Sequence, residues 1–166
     1  MSRPALPDGA RILAGDAIIE GVKVIPLRRV PDERGTIFHM LRTTDPHFMQ
    51  FGEIYFSTVR PGVVKGWHLH REMTLHYACV HGHAKLAIFD DRPASPTRGG
   101  LMEICIGPDS YNLVVIPPDT WNGFKGIGDE PALIANCCTH AHDPSRSSRL
   151  DPFTNHIPYD WALKNH

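Results

Sequence analysis

Every apolar stretch in this chain is short, and most are closed by glycine, proline or aspartate. Residues 22–25 stop at Pro26, residues 53–59 stop before Pro61-Gly62, and residues 101–106 stop at Gly107-Pro108-Asp109. Residues 75–80, 84–89, 112–116 and 123–127 follow the same rule, with His81-Gly82-His83 a tight turn between the first two, while residues 36–41, 63–69 and 132–139 end at polar residues. Residues 43–50 are the best candidate for a short helical turn. Short strand-like runs at near-regular spacing, with no sustained 3.6-residue period, read as an all-β sandwich or barrel. The 14 glycines and 15 prolines supply the turns and argue against a helical bundle. Residues 1–14 read as a loose arm, so residues 1–17 are taken as an N-terminal arm and residues 18–166 as one domain.

A chain of 166 residues buries enough surface to need no disulfide or metal staple. A net charge of −1 provides no global field for nucleic acid or acidic lipid. No run approaches the roughly 18 apolar residues of a membrane helix. No basic segment leads into an apolar run at the N-terminus, so the expected location is the cytoplasm. Cys79, Cys105, Cys137 and Cys138 include no C-x-x-C pair and read as reduced, mostly buried thiols. The 11 histidines point to proton chemistry or metal binding without choosing between them.

The densest polar constellation is Lys65-Gly66-Trp67-His68-Leu69-His70. Residues two apart on a strand share a face, so Gly66, His68 and His70 point the same way, into a partly enclosed lumen. Gly62, His68, His70 and Gly82 together resemble the first cupin motif, and residues 115–124 resemble the second. Pro31-Asp32-Glu33-Arg34-Gly35, Val64-Lys65-Gly66-Trp67-His68, Asp90-Asp91-Arg92 with Ser95-Pro96-Thr97, Ile116-Pro117-Pro118 through Gly123-Phe124, and Leu150-Asp151-Pro152 through Trp161 add a narrower likeness. In that order they are similar to the dTDP-4-dehydrorhamnose 3,5-epimerase family, over roughly residues 20–162.

The resemblance implies a cupin-type antiparallel jelly roll that forms a homodimer. It implies a nucleotide-linked 4-keto-6-deoxy sugar as substrate, with no cofactor, metal, nucleic acid or membrane involved. His68 takes the place of the general base, Asp151 that of the aspartate orienting it, and Arg34 that of the arginine gripping the nucleotide sugar across a dimer interface. Lys65 stands where a phosphate-binding basic residue belongs. Departures accompany these matches: Ala135 falls at the place of the family's proton-donating tyrosine, Leu75 near its lysine, His70 at a glutamine, Asn122 at a histidine and His39 at a glutamate. The expected enzyme is therefore a diverged, 3,5-epimerase-like one, in which Tyr55, Tyr77, Cys137 or His140 replaces the lost donor; without such a replacement it exchanges protons with retention or inverts only one carbon. Lys65, His70 and Asn122 are the candidates to hold the enolate.

Two other readings compete. The His68-x-His70 pair resembles that of cupin nucleotide-sugar 3,4-ketoisomerases, and Tyr55 and Arg60 on the preceding strand could serve such a site. A non-catalytic sugar-binding cupin is the other. The metal-cupin pattern is broken, with Leu75 and Asn122 at two ligand places. His47, His81, His83, His142, His156 and His166 read as solvated, and Trp67, Trp121 and Trp161 as packing residues.

Overall fold

The computed structural model describes residues 5–164. Its strands are β1 (Ala10–Ala14), β2 (Lys23–Pro26), β3 (Arg29–Asp32), β4 (Gly35–Phe38), β5 (Glu53–Val59), β6 (Val64–His70) and β7 (Leu75–His81). They continue with β8 (His83–Phe89), β9 (Leu101–Ile106), β10 (Asn112–Ile116), β11 (Trp121–Ile127), β12 (Ala132–Cys138) and β13 (Ser147–Arg149). Among the described residues the helical content is one 3-10 turn, Pro144–Arg146, and no helix is long and apolar enough to cross a membrane.

Two antiparallel sheets face each other, ordered β1-β9-β8-β11-β6-β13 and β2-β10-β7-β12-β5, and β3–β4 forms a separate hairpin. This is the expected jelly-roll sandwich. Leu86, Ile88, Met102 and Ile104 from the first sheet meet Leu75, Tyr77, Val114, Ile116 and Ile134 from the second in the central core. The next residues along β8, Ala87 and Phe89, point outward and are buried too, under Ile157, Tyr159 and Trp161 of the C-terminal segment. The outward residues Ala78, Leu113 and Val115 of the second sheet lie beneath Leu27, Phe38, Met40 and Leu41. A strand covered on both faces reads as a continuous apolar run, which explains the sequence of β8.

Two expectations change. Residues 10–14 are not a loose arm: Ala10–Ala14 is the edge strand β1, paired with β9 from Ala10 opposite Ile104 to Ala14 opposite Leu101. Residues 43–50 form turns rather than a helix, closed by the Asp45 and Phe48 amides donating to the Arg42 and Asp45 carbonyls.

Candidate active site

β5 and β6 lie in opposite sheets, and their inward faces bound a cavity of about 630 Å³. Period-two alternation places Glu53, Tyr55 and Ser57 on the β5 wall and Gly66, His68 and His70 on the β6 wall. Tyr77, Phe124, Ile134 and Asn136 form the floor, and His142 and Arg149 complete the rim. A second cleft of about 520 Å³, rimmed by Glu20, Arg71, Asp91 and Asp119, contains none of the predicted site residues.

β6 is fixed from both sides. Gly66 and Gly123 let β6 and β11 cross closely: a Cβ on Gly66 would lie 2.7 Å from the Gly123 Cα. The amide of Asn122 donates to the His68 carbonyl at 3.3 Å, while its oxygen accepts from the Tyr77 hydroxyl at 3.3 Å. Asn122 is thus a buried brace behind His68 rather than a cavity-lining residue. On the outer face of β6, Trp67 packs on Tyr159 and Trp161, with ring centroids 5.8 and 5.1 Å away.

The charged residues of the cavity are the cations Lys65 and Arg149 and the carboxylate Glu53. Burial lowers the His68 pKa to about 4, with Arg149, His70, Lys65 and His142 adding in the same direction. Burial also lowers that of His70, helped by His142 and Arg149. Both imidazoles are therefore neutral at pH 7, with a lone pair available. Lys65 spans to the opposite wall and donates to the Ser57 hydroxyl at 2.8 Å and the Thr58 carbonyl at 3.0 Å. Among the described residues no three histidine, cysteine, aspartate or glutamate side chains converge as metal ligands.

Of the residues singled out in the sequence, His68, His70, Lys65 and Tyr55 meet in this cavity. Asp151 does not join them. Its carboxylate accepts from the Phe153 and Thr154 amides, both at 2.8 Å, and closes its own turn. The residue of that segment beside the base is Arg149, directly opposite His68 in the β13–β6 ladder. Arg34 is exposed at the tip of the β3–β4 hairpin, with its guanidinium on Asp32 at 2.6 Å. Arg60 is exposed at the turn after β5 and does not line the cavity. Ala135 points away from the cavity, because its neighbours Ile134 and Asn136 are the β12 residues that face inward.

His142 is exposed, as expected, but it also lines the cavity, its ring 6.0 Å from that of His70. His47 is instead mostly buried, with 11% of its side chain exposed, and His166 lies outside the described residues. Glu53 and Ser57 were legible once Tyr55 was chosen, since they flank it at two-residue spacing. Arg149, His142 and Asn136 carried no comparable local signal.

The family model described as dTDP-4-dehydrorhamnose 3,5-epimerase matches residues 16–166. A probable low-salt glycan biosynthesis epimerase of Haloferax volcanii is 38% identical over 144 residues, covering 86% of this chain and 89% of the relative. A spore coat polysaccharide biosynthesis protein of Bacillus subtilis is 29% identical over 143 residues, covering 86% and 91%. The crystal structure of a dTDP sugar isomerase from Desulfovibrio desulfuricans superposes with a TM-score of 0.85 at 43% identity, over 89% of this chain and 94% of that one. The ordered motifs, the two-sheet fold with its histidine-bearing strand, and these matches agree: the chain belongs to the dTDP-4-dehydrorhamnose 3,5-epimerase family.

Proposed function

We propose that this protein epimerises a nucleotide-linked 4-keto-6-deoxy sugar by removing a proton next to the ketone, with His68 as the base. The observation that carries this reading is a half-buried His68 on the wall of a cavity large enough for a sugar and lined also by Lys65 and Arg149. A ketone acidifies its neighbouring C–H bonds, so a positioned imidazole suffices to form the enolate. Lys65 and Arg149 line the same cavity as His68 and are the cations suited to the negative charge of the substrate's phosphates or of the enolate oxygen. The same positive charge that weakens His68 as a base thus favours the anion it creates.

Asp151 enters this mechanism only as the residue that shapes the turn after β13, in place of the imidazole-orienting role expected of it. His68 is placed by its strand and by the Asn122 brace behind its carbonyl. The reaction needs no cofactor.

The working form proposed is a cytoplasmic homodimer. Arg34 stands on a hairpin with no part in its own chain's cavity, so it reaches a substrate only in a second copy. The unpaired edge strand β5 turns Ile54 and Phe56 to solvent, 50% and 62% exposed, beside Met49 and Phe51. Such an apolar edge calls for cover. Sedimentation at micromolar concentration is expected to give twice the chain mass.

The test is deuterium uptake from D2O into dTDP-, CDP- and GDP-linked 4-keto-6-deoxy sugars, followed by NMR. Uptake at C3 or C5 is expected with one of them, and His68→Asn is expected to slow it by at least about 100-fold. No uptake with any of the three would overturn the enzymatic reading and leave a sugar-binding cupin. Movement of the carbonyl to C3 would identify a ketoisomerase instead. Exhaustive chelation is expected to leave the rate unchanged.

A further inference from the structure

Inversion of a carbon needs a base on one face and a proton donor on the other. The cavity contains two tyrosines, and the hydrogen bonds around them distinguish their roles. The carboxamide oxygen of Asn136 accepts from the His76 backbone amide at 3.1 Å. A backbone N–H can only donate, so this contact fixes the amide orientation. The Asn136 nitrogen must then donate to the Tyr55 hydroxyl, which it does at 2.9 Å. That bond occupies a lone pair on the Tyr55 oxygen and leaves its O–H proton uncommitted. No second polar partner meets that hydroxyl among the described residues, and Tyr55 lines the cavity.

Tyr77 is the opposite case. The His68 carbonyl can only accept, so it fixes the Asn122 nitrogen, and the Asn122 oxygen then takes the Tyr77 proton. The proton is committed, and the ring is only 4% exposed.

We infer that Tyr55 is the proton donor that completes inversion, standing on the β5 wall across the cavity from His68 on the β6 wall, with Asn136 as its positioning residue. The inference rests on the proton-abstraction reading above. His68 takes the proton as the substrate C–H bond breaks, and that electron pair forms the enolate. The enolate pair then takes the Tyr55 proton from the other side to make the new C–H bond. The O–H electron pair stays on the phenolate, which the Asn136 amide stabilises. The imidazolium returns its proton to the phenolate through water, and the site is restored.

The experiment measures two quantities in one D2O incubation with the 4-keto sugar nucleotide that the wild type accepts: deuterium uptake, and configuration at the labelled carbon. The wild type is expected to label and invert. Tyr55→Phe is expected to keep labelling, with retained configuration, and to lose inversion by at least about 100-fold. Asn136→Ala is expected to lower the ratio of inversion to labelling, whereas a merely structural role would lower both together. Tyr77→Phe is expected to leave that ratio unchanged, whatever its effect on rate. Tyr55→Phe inverting at the wild-type ratio would overturn the inference, as would a folded Tyr55→Phe losing both in proportion. If Tyr55→Phe does not fold, the Asn136→Ala ratio decides, and an unchanged ratio there overturns the assignment. A wild type that labels without inverting refutes Tyr55 alone, while one that never labels refutes the parent reading and Tyr55 with it.

Discussion

His68 lies half-buried in β6, and burial first, then Arg149, His70, Lys65 and His142, bring its pKa down to about 4 from an ordinary 6.5. Between those values the unfolded chain binds a proton at this position that the folded chain refuses. The folded state is therefore at full advantage above about 6.5 and loses it as the pH falls toward 4. His70 and His76 are shifted the same way by burial and add to the same loss. Urea midpoints at about pH 7.5 and about pH 4.5 check this, and His68→Asn is expected to narrow the gap between them. An equal gap in wild type and variant would mean that His68 titrates normally. The sequence alone made His68 legible, because Gly-x-His-x-His alternation puts both rings on one face. It could not show which charges surround the ring, since Arg149 lies 81 positions away along the chain and is brought opposite His68 by pairing.

At the level of elements, the geometry of β6 depends on its crossing with β11. The β6–β11 ladder slips register between Asn122 and Phe124, beside the point where Gly66 and Gly123 touch. A methyl group at Gly66 would meet the backbone of Gly123 at 2.7 Å, with no flexible side chain to yield. Gly66→Ala is expected to destabilise the fold by about 1–3 kcal/mol, the usual cost of overpacking. It should also slow the reaction, because the strand that moves carries His68. Denaturant midpoints and deuterium uptake on the same preparation check both effects. The strands with clear boundaries were readable: residues 53–59, 101–106 and 112–116 coincide with β5, β9 and β10. β1 and β13 were not. Ala10–Ala14 is held by pairing with β9 and by packing of Ala10 and Ile12 on the central core, and Ser147–Arg149 has no apolar residue to mark it as a strand before β6 pairs with it.

Across the whole molecule, the first sheet is buried on both faces, and its outer cover is the C-terminal segment. Trp161 is 3% exposed and packs against Trp67, directly behind the base-bearing strand. Polar ties fasten the segment at its edges. Tyr159 donates to Glu103 at 2.6 Å, while Lys85 and Lys125 donate to the Ala162 and Trp161 carbonyls at 3.0 and 2.9 Å. Glu103 is also paired with Arg11 of β1, so both ends of the chain converge on one buried carboxylate. Trp161→Ala is expected to cost about 3–5 kcal/mol, as large-to-small changes do at packed aromatic sites. A loss well under 1 kcal/mol in urea titration would mean that the segment only rests on the sheet.

The sequence by itself determined the all-β class, most strand positions, the family and the histidine pair, because turn chemistry and two-residue alternation are local properties. The tertiary structure decided which residues share the cavity. A one-residue change of register turns a side chain to the other face of its strand. Against β7, β12 slips between Leu133 and Ile134, and the residues facing the cavity are Ile134 and Asn136 rather than Ala135. Asp151, two residues beyond Arg149, was drawn into a turn by nearby backbone amides, while Arg149 was left opposite His68. The Asp151 turn is local, but the facing of Asn136 and the place of Arg149 depend on pairing between distant strands, which no local pattern encodes.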